Sequence, residues 1–117
     1  MIAVIFESEP SEAGKDAYLK IAADLRALLD SVEGFISVER FQSLSEPGKL
    51  LSLSFFEDEA AIERWRTQAR HRAAQAQGRG GIFANYRLRI AHVVRDYSLT
   101  DRAQAPADSR DAHGAAR

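Results

Sequence analysis

The chain of 117 residues has no cysteine. Disulfides, a thiol nucleophile and thiolate metal sites are therefore excluded, and a cytoplasmic setting is expected. No run approaches the ~18 consecutive apolar residues of a membrane span, so no membrane partner is expected. The opening MIAVIFESEP lacks a basic start and turns acidic at once, so no signal peptide is expected. Phosphate-binding loops are missing too. GRGG at Gly78–Gly81 is not followed by Lys-Ser or Lys-Thr, and no GxGxxG is present. The three histidines, His71, His92 and His113, lack the close spacing of a metal site, so no metal is expected. No serine-centred nucleophile motif occurs. A net charge of -1 gives no reason to expect nucleic acid.

Acids are also scarce in one region. Between Ala60 and Arg95 stand eight arginines and one acid, Glu63. This asymmetry fits two solvated or complementary oligomer faces. It also fits a pocket or rim that attracts an anionic or phenolic small molecule. The same region holds the single tryptophan, Trp65, in the stretch DEAAIERWRTQARHRAAQAQGR. Ala61, Ile62, Trp65 and Ala69 recur at three- and four-residue steps and predict an amphipathic helix. Asp58 is placed to cap it, and Gly78 with Gly80-Gly81 to end it. A break is expected near Gln68, with the helix resuming to Gln77.

The remaining elements follow from periodicity. Ile2–Glu7 alternates as a strand and is stopped by Glu9-Pro10-Ser11. Ala17, Tyr18, Ile21, Ala22, Leu25, Leu28 and Leu29 form a helical stripe, closed by a turn at Gly34. Phe35–Leu44 and Lys49–Phe56 read as strands joined through Pro47-Gly48 into an antiparallel hairpin. On the third strand Leu51, Leu53 and Phe55 share one face. Leu50, Ser52, Ser54 and Phe56 share the other, a mixed face with large apolar ends. After a loop over Gly78–Asn85, Tyr86–Tyr97 reads as the last strand. Residues 1–97 thus form one α+β domain with the order βαββαβ, a ferredoxin-like four-stranded antiparallel sheet with both helices on one face. The bare sheet face predicts a homodimer packed sheet to sheet. Residues 98–117, with Leu99 as their one strong hydrophobe, read as a polar tail.

With that order, the opening strand MIAVIFE, Tyr18, the segment EGFISVERFQS and LLSLSFFEDEAAIERWR with His71 following resemble the antibiotic biosynthesis monooxygenase family, the dimeric α+β barrels. The resemblance covers Met1 to about Tyr97. It implies a pocket between helices and sheet in each subunit. There, a small phenol, quinol or polyketide-like aromatic reacts with O2 without metal or other cofactor. It maps the family's tryptophan to Trp65. A pocket tyrosine of polyketide-oxidising members falls at His71, and a pocket asparagine at Ala61. Haem-degrading members carry an iron-binding histidine and a first-strand asparagine where this chain has Gln75 and Glu7, and glutamine is a poor haem ligand.

The expected chemistry needs an electron-rich ring, a base for its proton, and a dry pocket for the anion and oxygen. His71 has the intrinsic pKa for the base. On a straight helix it points about 120° away from Trp65, so a shared pocket requires the expected break. Trp65 supplies an aromatic wall or core packing. His92 is a pocket group or a buried histidine. Arg72 and Arg79 steady an anion or are solvated at the surface. The competing readings are a non-catalytic dimeric barrel that binds a small ligand, and haem degradation.

Overall fold

A computed structural model describes the backbone of residues 1–76 and 82–113, and the side chains of residues 1–69 and 82–110. The elements run β1 (Ile2–Pro10), α1 (Lys15–Leu29), β2 (Phe35–Gln42), β3 (Leu50–Phe56), α2 (Glu59–Ala76), β4 (Phe83–His92) and α3 (Ala107–His113). The four strands form one antiparallel sheet in the order β2-β3-β1-β4. This is the ferredoxin-like α+β fold expected from the element order. Among the described residues no helix is long and apolar enough to cross a membrane.

Register decides which side chains meet the helices. Ile2 lies opposite Phe56 and His92, Val4 opposite Ser54 and Ile90, and Phe6 opposite Ser52 and Leu88. Side chains alternate along a strand, so these positions share the helix-facing side of the sheet. At one end Ile2, Leu29, Phe56, Ala61 and Ile62 form the closed core, with Val4, Phe35, Val38 and Trp65 packed against it. At the other end Phe83 meets Phe6, Tyr18 and Tyr86 with ring centroids 5.7, 5.5 and 6.0 Å apart. The other side of the sheet carries Ile5, Leu51, Leu53 and Phe55, all half-buried. Glu7, on that side, is ion-paired to Arg89 at 2.9 Å and to Lys49 at 3.7 Å.

Two glycines fix where the helices sit. A Cβ on Gly14 would stand 2.5 Å from the carbonyl oxygen of Ile82, so the start of α1 lies against the approach to β4. The Ser11 N–H donates to the same carbonyl at 2.8 Å. Gly34 has φ +91°, and a Cβ there would lie 2.7 Å from that of fully buried Ala61. The N–H of Ala61 donates to Asp58 Oδ1 at 2.9 Å, so Asp58 caps α2 as expected.

Several details differ from the sequence expectation, the ends of β2 and β3 by one or two residues. β1 continues through Glu9 to Pro10, where an irregularity in the pairing with β4 accommodates the proline. β4 correspondingly begins at Phe83 and ends at His92. The break expected in α2 is absent: the helix is continuous from Glu59 to Ala76. Its residues there are good helix formers, and Thr67 is accommodated by donating its hydroxyl to the Glu63 carbonyl at 3.0 Å. Beyond β4, Arg102 is buried within the C-terminal arm. It stacks over Tyr97 with 5.3 Å from Cζ to the ring centroid, and donates to the Ser98 carbonyl at 3.1 Å and to the Ser109 hydroxyl. The arm is thus locally ordered around one arginine.

Candidate active site

Between the helices and the sheet lies a pocket of about 560 Å³. Its floor follows from the mixed face of β3. Ser52 and Ser54, between the larger Leu50 and Phe56, leave unfilled the space that bulkier side chains would occupy. Ala22 on α1 and Ala69 on α2 do the same from above. Val4, Phe6, Val38, Leu88 and Ile90 complete the sheet side, and Tyr18, Leu25, Ile62 and Trp65 the helix side. Leu88 and Ile90 are about half exposed, because β4 is an edge strand that the helices do not fully cover, and the pocket opens there. The size falls within the range of small-molecule sites, and the lining is predominantly apolar.

The polar groups are few. The hydroxyls of Tyr18, Ser52 and Ser54 make no hydrogen bond to any described residue, and all three residues line the cavity. Two guanidinium groups join them, from Arg40 on β2 and Arg66 on α2. Arg40 donates through Nη2 to the Ala22 carbonyl at 3.1 Å, which ties the edge strand to α1. No aspartate or glutamate is among the described lining residues. Arg40, Ser52 and Ser54 are not among the site residues expected from sequence, and Tyr18 is expected there only as part of the α1 stripe and of the family resemblance. The alternation on β2 was the available signal: Arg40 shares the helix-facing side with Val38 and pairs directly with Ser52.

Of the residues expected at the site, Trp65 is half-buried and lines the pocket. His92 is exposed at the end of β4, paired in register with Ile2, and does not line the pocket. Position 71 lies on the continuous α2, about 120° around the axis from Trp65, whereas position 72 falls about 20° from it. The condition set for a pocket shared by Trp65 and His71, a broken helix, is therefore not met. The side chains of His71 and Arg72 lie outside the described residues, as does the whole of Arg79. Ala61, where the family resemblance places an asparagine, packs into the closed core against Gly34. Glu7, at the place of the haem-degrading members' asparagine, stands on the sheet side away from the pocket. Its carboxyl is held below the usual value of 4.5, chiefly by the hydrogen bond from Arg89, against a smaller opposing effect of burial. Among the described residues no group of three His, Cys, Asp or Glu is placed to hold a metal ion.

Comparison with known proteins agrees with this architecture. Residues 1–77 match the model of a family described as "Antibiotic biosynthesis monooxygenase". A jasmonate monooxygenase of Pyricularia oryzae is 50% identical over 94 residues, which cover 80% of this chain and 44% of that protein. This chain therefore spans less than half the length of that relative. Among solved structures, Rv0793 from Mycobacterium tuberculosis superposes with a TM-score of 0.71 at 16% identity, covering 83% of this chain and 98% of its own. SnoaB, a cofactor-independent oxygenase from Streptomyces nogalater, gives 0.67 at 10% identity, covering 81% and 94%. At such identities these two structures speak to the fold alone.

Proposed function

The chain belongs to the antibiotic biosynthesis monooxygenase family, and we propose that it is a monooxygenase that oxidises a small cyclic, largely apolar substrate with O2 in the pocket beneath Trp65. The observation that carries this reading is the pocket itself: an apolar cavity of about 560 Å³ floored by Ser52 and Ser54 and walled by the one tryptophan of the chain. Apolar walls exclude bulk water from a bound ring, so an anion formed from the substrate is not quenched before it meets oxygen. The hydroxyls of Tyr18, Ser52 and Ser54, without a partner among the described residues, orient the oxygen functions of the substrate, and Arg72 and Arg79 are proposed to steady the anion formed from it.

Two substrate classes differ in electron count. Oxidation of an activated methylene to a carbonyl consumes one O2 and releases one water with no other reductant. Hydroxylation of a C–H bond requires two further electrons and two protons from a reductant. The relative named for jasmonate makes jasmonic acid the first compound to test, and phenols and quinols the second set. Oxygen consumption above the protein-free rate, with and without a reduced nicotinamide or flavin, separates the two classes. No consumption with either set contradicts the proposal.

A homodimer through the bare sheet face is part of this reading, because Ile5, Leu51, Leu53 and Phe55 are otherwise left on an open surface. The second reading, a barrel that binds a ligand without reacting, is favoured by Ala61, which supplies core packing where active relatives are expected to place an amide. Tight ligand binding without oxygen uptake would favour it.

A further inference from the structure

The charge on the pocket's lining is one-sided, and the two arginines that carry it, Arg40 and Arg66, are exposed to solvent. Neither makes an ion pair with a described residue. The described lining holds no carboxylate to balance them, and the sequence from Arg64 to Arg95 contains no acid that could. Elsewhere in the molecule arginines near acids do pair: Arg26 reaches Asp30 at 3.4 Å and Arg89 reaches Glu7 at 2.9 Å. A guanidinium spends one N–H on the Ala22 carbonyl at Arg40 and has four left. Directly opposite Arg40 in the β2–β3 register stands Ser52, whose hydroxyl is also without a partner among the described residues. Arg40 and Ser52 thus present donors from paired positions on a cavity whose other described polar lining groups are the Tyr18 and Ser54 hydroxyls and Arg66.

We propose that the substrate is an amphipathic monocarboxylate, with Arg40 and Ser52 holding its carboxylate and the space beneath Trp65 holding its apolar body. Arg40 is the specificity-determining group. Its planar fork suits a two-oxygen anion, and the tie to Ala22 fixes its direction before the ligand arrives. Arg66, from α2, adds to the positive potential that draws the anion in. This inference rests on the pocket being the substrate site, but it concerns binding and does not depend on turnover.

The single tryptophan makes the test direct, since Trp65 lines the cavity and its fluorescence reports occupancy. The probes are ω-phenylalkanoic and cyclopentylalkanoic acids of increasing chain length, each paired with its methyl ester, titrated into the full chain. The best acid is expected to bind about tenfold or more tightly than its ester, in keeping with a charge-assisted hydrogen bond at a partly open site. In Arg40→Gln the preference for acid over ester should vanish while ester binding stays within about twofold, and Arg40→Lys should restore part of it. Melting curves of each variant confirm that it is folded. Equal binding of acid and ester by the parent protein overturns the proposal, as does an unchanged preference in folded Arg40→Gln, or no response to any acid. Oxygen uptake on the same samples keeps the two ideas apart. Selective acid binding without oxygen consumption leaves the anion site standing and contradicts the monooxygenase reading. Equal turnover of acid and ester does the reverse.

Discussion

Replacing Gly34 by alanine tests how the site is positioned. The residue sits at φ +91°, a conformation that L side chains rarely adopt, at a cost of roughly 1–2 kcal/mol. The new Cβ would also stand 2.7 Å from that of Ala61, which has no exposed surface and lies on α2 one turn before Trp65. Neither backbone can retreat freely. The Gly34 carbonyl accepts from the Glu57 N–H at 2.7 Å, and Asp58 holds the Ala61 N–H. Overpacking of this kind costs roughly 1–3 kcal/mol. The smaller entropy of the unfolded alanine chain returns about 0.5 kcal/mol. A net loss near 3 kcal/mol is expected, which for a chain of this size lowers Tm by about 12 °C. Because relief of the contact must shift the start of α2, Trp65 fluorescence should change as well. A Tm within 2 °C of the parent would refute the reasoning, since it would mean that Gly34 is neither strained nor in contact with Ala61.

Other outcomes follow from the same geometry. Trp65→Ala should cost about 2–3 kcal/mol in denaturant unfolding, less than a fully buried tryptophan because the pocket already exposes part of the ring, and should weaken ligand binding at least tenfold. Since α2 is continuous, His71→Ala should retain oxygen uptake within about threefold, and a hundredfold loss would return His71 to the role of base. Glu7 is held below its usual pKa in the folded state, so its contribution is present above pH 4.5 and disappears as pH falls through the lowered value. Any Tm difference between Glu7→Gln and the parent at pH 7 should therefore shrink progressively as the pH falls below 4.5, and shrink in high salt. Light scattering at micromolar protein should give twice the chain mass of 13.0 kDa; a monomer would contradict the sheet-to-sheet dimer.

The fold was legible because its signals were local and mutually consistent. The helical stripe from Ala17 to Leu29 and the alternation of Ile2, Val4 and Phe6 each point to one face, and together they specify the layers. The end of β1 was less legible, since Pro10 signals a stop, whereas pairing with the Phe83 end of β4 carries the strand through it. The α2 break was the larger departure. Apart from Thr67, whose hydroxyl is satisfied by the Glu63 carbonyl, the residues of ERWRTQAR are compatible with helix, and no glycine or proline marks a break. The site was half visible. Ser52 and Ser54 stood out as small polar residues on a core-facing side, and in the fold they become the floor of a cavity. Arg40 was hidden, because an arginine on an edge strand resembles any solvated charge until its neighbours are known. Its significance lies in what surrounds it: a directly opposed serine, an α1 carbonyl and no carboxylate among the described lining residues.

Incubation of the protein with its best-bound carboxylic acid under isotopically heavy dioxygen, followed by mass spectrometry of the product, tests the central claim most directly. The account predicts one heavy oxygen atom in the product, at a rate that falls in parallel with binding in Trp65→Ala and Arg40→Gln. Unaltered acid, recovered while Trp65 fluorescence shows the pocket to be occupied and reductants have been supplied, would contradict it.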